Sequence, residues 1–348
     1  MHPSLRELPY ATAKSLRTLG KIRAEPEDFR VDEVPAYLPT GLGEHLFVHF
    51  EKRTLTTRDA VERLARALGV NPRDAGFAGL KDKHAVTTQW ASFAGASAEL
   101  AQSLDLPGIR VLAAARHENK LRTGHLRGNR FQLRIRGEQL DASVARTILG
   151  ELERIGAPNY YGEQRFGIED RNLTRARAWV LEGGRAPRDR FERKLLFSTL
   201  QSALFNVWLA DRLNAGLYGS VVPGDLMRKE DTGGMFVASD VVDATTRMLA
   251  WEVSPTGPMF GGKMRWPEGE SAQREHAVLR EAGIALDTLS AHAKYGEGAR
   301  RPARVKPAGW QVDEEADALL ISFELPAGAY ATMVLRELMK QGLDGAET

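Results

Sequence analysis

Cysteine is missing from all 348 residues. Disulfide scaffolds, zinc ribbons, iron–sulfur clusters and thiol nucleophiles are therefore excluded. No run of about 18 apolar residues occurs, so no transmembrane helix and no membrane partner are expected. Residues 1–20 hold no apolar stretch ahead of a small-residue cleavage site, so no signal peptide is expected and a reducing, cytoplasmic setting is the natural one. An excess of charge of one sign is also lacking: 48 Lys and Arg face 46 Asp and Glu, for a net +2. A balance that close identifies no partner. Several catalytic signatures are absent as well. There is no G-x-x-x-x-G-K-S/T phosphate loop, no H-E-x-x-H zinc helix and no G-x-S-x-G elbow. The Gly41–Gly43 pair has no third glycine to make a dinucleotide fingerprint. The eight histidines are scattered without ligand spacing, and no metal is expected.

What is present is an ordinary soluble composition, 43% apolar and 27% charged, enough to bury a core. At about 150 residues per domain the length predicts two domains, or one with a large insertion. Residues 44–51 alternate as a strand, with Leu46, Val48 and Phe50 on one face. A helix start is read at Thr56–Asp59, the i, i+3, i+4, i+7 set Val61, Leu64, Ala65 and Leu68 follows, and Gly69 closes it. Residues 85–93 and 130–136 read as strands. In the second, Phe131, Leu133 and Ile135 face one way, and Arg130, Gln132, Arg134 and Arg136 the other. Residues 144–155, 173–181 and 197–213 read as helices, the last with a stripe of Leu200, Leu204, Phe205, Trp208 and Leu209. Residues 216–224 and 254–262 read as Gly/Pro-rich connections. A strand over 318–325, a turn over 326–328 and a helix over 330–339 close the chain. Strands at both ends with helices between predict one sheet-bearing domain built from both termini and interrupted by an inserted module.

Seven basic residues and one acid lie between Arg116 and Arg136. A second cluster holds Arg300, Arg301, Arg304 and Lys306. Arginine forks suit phosphate, so the two clusters balance nucleic-acid binding against a plain solvated face. Three segments could carry chemistry. In Gly76–Gln89, Asp82 sits between Lys81 and Lys83, with Gly79 and His84 near. Flanking cations favour an ionised carboxylate, which can act as nucleophile or electrostatic stabiliser; the alternative is a solvated surface turn. In Pro158–Gly167, Tyr160, Tyr161 and Phe166 could stack on bases or fill a domain junction. In Gly124–Phe131, Asn129 and Phe131 could read and stack a base, or cap a turn and pack the core.

Taken together these segments resemble the TruD family of tRNA pseudouridine synthases. The family's A-G-x-K-D-K-x-A-V-T appears as Ala78–Thr87, its G-N-x-F as Gly128–Phe131, and its P-N-Y-F/Y-G-x-Q-R-F-G as Pro158–Gly167. P-E-D-F stands at Pro26–Phe29, and L-P-A-G-x-F/Y-A-T at Leu325–Thr332. The five run in family order over nearly the whole chain. The resemblance implies isomerisation of a uridine already inside tRNA, at position 13 of the D-arm, with no cofactor and no metal. It makes Asp82 the catalytic aspartate, as nucleophile or as ribose-activating base. It makes Phe131 the aromatic that stacks on the target base, Asn129 a substrate-contacting amide and Phe29 a second substrate-side aromatic. Two positions depart from the family pattern: Arg23 stands for its usual lysine and Tyr330 for its phenylalanine. Arg23 keeps the counter-charge for Asp82 but cannot donate a proton at neutral pH.

The fold expected is α+β. A catalytic domain with a mixed, largely antiparallel sheet is formed by residues 1–157 and 306–348, and residues 158–305 form the inserted α/β TRUD domain. RNA is expected between them, with both basic clusters tracking phosphates, and a monomer is the default. Three rival readings remain: a non-catalytic tRNA-binding or folding protein, a synthase for another RNA, and a carboxylate enzyme such as a nucleoside hydrolase.

Overall fold

The computed structural model describes residues 7–340. In chain order the strands are β1 (Phe29–Pro35), β2 (His45–Arg53), β3 (Gly76–Phe77), β4 (Val86–Ala94), β5 (Ile109–His117), β6 (Leu126–Arg136), β7 (Ala157–Pro158), β8 (Leu226–Lys229), β9 (Met235–Val237), β10 (Val253–Met259), β11 (Ala299–Pro302), β12 (Arg304–Val305), β13 (Ala308–Glu314) and β14 (Ala318–Pro326). The helices are α1 (Thr57–Ala67), α2 (Ala98–Gln102), α3 (Ala142–Ile155), α4 (Arg171–Val180), α5 (Arg190–Asn214), α6 (Val241–Leu249), α7 (Gly269–Glu281), α8 (Leu286–Ala291) and α9 (Ala331–Met339). By contacts they fall into two units. One comprises Arg17–Leu149 and Pro307–Ala331; the other comprises residues 7–16, Gly150–Lys306 and residues 332–340. The contact boundary thus groups residues 7–16, 150–157, 306 and 332–340 with the inserted segment, whereas the sequence reading grouped them with the catalytic domain.

The first unit is built on an eight-stranded sheet in the order β13-β14-β6-β1-β4-β2-β5, with β3 beside β4. Only β1 and β4 run parallel; every other pair is antiparallel, so the sheet is mixed and largely antiparallel as expected. Alternation explains its core. Leu46, Val48 and Phe50 of β2 are fully buried against Val61, Leu64 and Ala65 of α1. That helix begins where Thr56 accepts from the Asp59 amide at 3.1 Å. On β6, Phe131, Leu133 and Ile135 are buried, in register with Phe323, Ile321 and Leu319 of β14.

Gly128 shows why β6 and β14 can approach. A Cβ there would stand 2.2 Å from the Leu325 carbonyl oxygen, so any side chain would force the strands apart. The G-N-x-F and L-P-A-G segments, about two hundred residues apart in sequence, are thereby neighbours, with Asn129 opposite Leu325 and Gly128 opposite Pro326.

The second unit packs a four-stranded sheet, β11-β10-β8-β9, against α5. The predicted stripe of Leu200, Leu204, Phe205, Trp208 and Leu209 is buried there. One expectation fails: residues 254–262 are not a simple connection, because most of them form the buried strand β10. Its glycine is a packing requirement, since a Cβ on Gly257 would lie 2.2 Å from the Trp208 ring. Small residues chosen for close approach look like loop residues in a sequence.

Candidate active site

All six candidate residues lie in the first unit: Arg23, Phe29, Asp82, Asn129, Phe131 and Tyr330. Asp82 sits on the loop between β3 and β4, its side chain one-third exposed. Arg23 meets its carboxylate, with Nη2 3.5 Å from Oδ2. Arg23 is held in the left-handed region at φ 60°, a position that is uncommon for a non-glycine residue. Its side chain is 12% exposed, and its guanidinium lies 4.3 Å over the Phe29 ring. Its Nε–H is buried without a hydrogen-bond partner among the described residues. A strained, under-satisfied arginine against an acid is the kind of arrangement that clusters at functional sites.

The lysines next to Asp82 in sequence do not serve it as expected. Lys81 turns away, and its Nζ donates to Glu33 Oε2 and to Asn129 Oδ1, each at 2.8 Å. Lys83 is exposed. Adjacent residues in a non-helical segment point to opposite sides, so adjacency in sequence is a poor guide to contact. Nor does Gly79 owe its place to a tight entry, since a Cβ there would meet only ordinary contacts.

What holds the loop is a polar network beneath it. Lys52, fully buried on β2, donates from Nζ to the Asp82 carbonyl oxygen at 2.6 Å. The Lys81 amide donates to Thr57 Oγ1 at 2.9 Å, and Thr57 donates on to Gln89 Oε1 at 2.9 Å. Glu33 closes the network by accepting from the Trp90 amide at 3.2 Å. Lys52, Thr57 and Glu33 had no place in the motif-based reading, and Lys81 had a different one, although a signal existed. Lys52 continues the inward face of Leu46, Val48 and Phe50, and Glu33 continues that of Phe29 and Val31. A charge at an inward strand position is costly unless paired.

The aromatics form the floor. Phe29 is 1% and Phe131 6% exposed, edge to face with centroids 6.4 Å apart, and Phe323 stands 5.6 Å from Phe131. The Arg23 guanidinium lies over the Phe29 ring. Asn129 is oriented by the Lys81 hydrogen bond to its Oδ1. Tyr330 follows the Pro326–Gly328 turn at the start of α9, half-buried.

Much of the 116–136 basic stretch is neutralised internally. Arg130 pairs with Glu324 at 2.6 Å, Arg134 with Glu315 at 2.8 Å, and Arg136 with Asp28 at 2.8 Å. The basic face of β6 therefore meets carboxylates rather than an open anion site. Lys120, Arg122 and Arg127 have no carboxylate partner among the described residues. The second cluster does not survive as a phosphate track. The side chains of Arg300 and Arg304 are buried, the first on Glu275 at 2.6 Å, the second 3.8 Å over the Trp251 ring while donating to main-chain carbonyls. Arg301 donates to the Asn159 carbonyl at 3.0 Å and lies 4.1 Å over the Tyr161 ring. In the Pro158–Gly167 segment, Tyr160 and Phe166 are buried in the second unit, and burial pushes the Tyr160 hydroxyl pKa far up. Among the described residues no group of acids and histidines could hold a metal ion, and no helix is long and apolar enough to cross a membrane.

A sequence model of the family described as tRNA pseudouridine synthase D (TruD) matches residues 7–183 and 190–338. The chain belongs to the tRNA pseudouridine synthase D family. The TruD family consists of pseudouridine synthases, which are isomerases. The protein of that name from Anaeromyxobacter sp. (strain Fw109-5) is 50% identical over 345 residues, covering 98% of each chain. That of Thermus thermophilus is 46% identical over 342 residues, 97% of this chain and 94% of the relative. A crystal structure of the putative TruD from Methanosarcina mazei matches with a TM-score of 0.76 over 96% of each chain; at 22% identity it speaks for the fold alone. The mixed α+β architecture is thus that of the TruD fold.

Proposed function

We propose that this chain converts uridine to pseudouridine within tRNA, with Asp82 as the catalytic carboxylate and no cofactor. The reaction breaks the bond from ribose C1′ to base N1 and remakes it to C5; the C5 hydrogen leaves as a proton and N1 takes one up, so mass is conserved. The observation that carries the reading is the convergence on one sheet face of Asp82, Arg23, Phe29, Asn129 and Phe131, which come from four separate motifs or flanking positions. A partly exposed carboxylate held by a buried cation above an aromatic floor suits attack at a ribose–base junction. The target base must leave its stack to reach it, and ring contact offsets about 1–3 kcal/mol of lost stacking. The edge of Phe131 and the Asn129 amide are the base-side contacts in this reading, with Tyr330 at the rim. Position 13 of the D-arm and the division at residues 158 and 305 rest on the TruD resemblance; a cytoplasmic setting and a monomer belong to the same proposal as defaults of the sequence.

Incubating the protein with tRNA carrying C5-tritiated uridine, without metal or cofactor, should release tritium, and mapping the product should place it at position 13. Tight tRNA binding without release would leave a binding protein. Release of free uracil instead would indicate a hydrolase.

The uncompensated cations give a separate expectation for affinity. Replacing Lys120, Arg122 or Arg127 with Ala should each lower the slope of log affinity against log salt by about 0.7–0.9. The double change of Arg130→Gln with Glu324→Gln should leave the slope within error. Filter binding between low and moderate salt checks both. Equal effects would mean that the Arg130 pair opens to bind RNA.

A further inference from the structure

Lys52 raises a question that the assignment of Asp82 does not answer. It is completely buried near the end of β2, where its strand neighbours in register are Thr87 of β4 and Ile109 of β5, both uncharged. Burying an ammonium costs several kcal/mol, and an apolar side chain of similar length would fill the space more cheaply. No carboxylate forms an ion pair with Lys52 among the described residues. Its hydrogen bond goes to a main-chain carbonyl, that of Asp82, at 2.6 Å. A charge-assisted bond of that length fixes the acceptor more firmly than a neutral one. Its acceptor is the peptide of the residue whose side chain faces Arg23.

We propose that Lys52 is the positioning residue of the active site: its buried ammonium clamps the main chain at Asp82, so that the carboxylate is held toward the reacting ribose. This rests on the assignment of Asp82 as the catalytic carboxylate. The clamp depends on charge, because a neutral amine is a much weaker donor than an ammonium. Two charged groups act on the ammonium: the Asp82 carboxylate favours the charged form and Lys81 opposes it. Burial is the larger influence and pulls the pKa of Lys52 down to about 8. The clamp is therefore closed below that pH and is lost as pH rises through it.

The test is the pH dependence of kcat/KM for tritium release, which reports groups of the free enzyme, in the wild type, Lys52→Met and Lys52→Arg. The wild type should fall on the alkaline side with a midpoint near 8. Displacing a catalytic group by about 1 Å costs on the order of a hundredfold, so Lys52→Met should lose roughly ten- to a hundredfold at pH 7. Its loss should fall mainly on kcat, and its profile should lack the wild-type limb, running close to the wild-type level at high pH. Lys52→Arg, charged at every accessible pH, should restore part of the rate and also lack the limb. Thermal unfolding of each variant separates a loosened fold from a loosened loop. A Lys52→Met enzyme that keeps the wild-type limb, or that matches the wild-type rate at pH 7, overturns the proposal while leaving Asp82 in place. An inactive wild type overturns both.

Discussion

Asp82→Asn is expected to abolish tritium release, with a fall of at least about ten-thousandfold in kcat, while tRNA affinity stays within about twofold. The substitution is nearly isosteric. Its main-chain carbonyl still accepts from Lys52, and Lys81 still reaches Glu33 and Asn129, so the loop keeps its supports. What disappears is the negative charge opposite Arg23. Because that pair is partly solvated, the change in stability should be below about 1 kcal/mol. Activity and stability are thereby separated: a large loss of rate with an unchanged unfolding midpoint identifies chemistry. Asp82→Glu keeps the charge but moves it outward by one methylene, and should recover only a small part of the rate. Activity above a tenth of wild type in the Asn variant would remove Asp82 from the reaction. The proposal would then pass to another carboxylate of the same unit, with Glu33, buried and paired with Lys81 beside Asp82, the first candidate.

The second large effect is on stability and concerns Arg300. Its guanidinium donates to Glu275 at 2.6 and 2.8 Å, to Thr256 Oγ1 at 3.1 Å and to the Thr256 carbonyl at 2.6 Å. Arg300→Met leaves Glu275 buried without its cation, which should cost about 3–5 kcal/mol. At about 2–4 °C per kcal/mol for a unit of this size, the unfolding midpoint of the second unit should drop by roughly 6–20 °C. Burial already raises the Glu275 pKa above its usual 4.5, with Arg300 pulling the other way. In the variant that restraint is gone and the folded-state pKa rises further. A carboxyl whose folded-state pKa exceeds its unfolded value adds stability at low pH and loses it as pH rises through the folded value. The deficit of Arg300→Met should therefore shrink as pH falls from neutral toward 4.5. The double change Arg300→Met with Glu275→Leu should regain most of the loss. Calorimetry from neutral to acidic pH checks the sign, and tRNA binding at several salt concentrations should show no change in slope. A reduced slope would return Arg300 to the RNA-binding surface.

These two predictions fall on opposite sides of what a sequence can disclose. Period-two alternation and capping chemistry are local, which is why β2, β6, β14 and α1 were legible from Leu46–Phe50, Phe131–Ile135, Ala318–Leu325 and Thr56–Asp59. Motif spacing was equally informative about Asp82, because five short patterns in order are hard to meet by chance. Local pattern misled where a residue type had two uses. Gly257 and its prolines looked like a connection but form β10 against Trp208. The cluster from Arg300 to Lys306 looked like a phosphate track, yet the Arg300 and Arg304 side chains lie inside the second unit.

The sequence by itself determined the class of fold, the family and the candidate nucleophile, because each is written in residues close together or in a fixed order. The tertiary structure alone decided which charge serves which. It turned Lys81 away from Asp82 to Glu33 and Asn129, and brought Lys52 up beneath the Asp82 peptide. It also left Lys120, Arg122 and Arg127 uncompensated while pairing Arg130, Arg134 and Arg136. The physical reason is that a charge pair is settled within a few ångströms by strand register and burial. Those bring together residues tens to hundreds of positions apart, and composition carries no record of the distance.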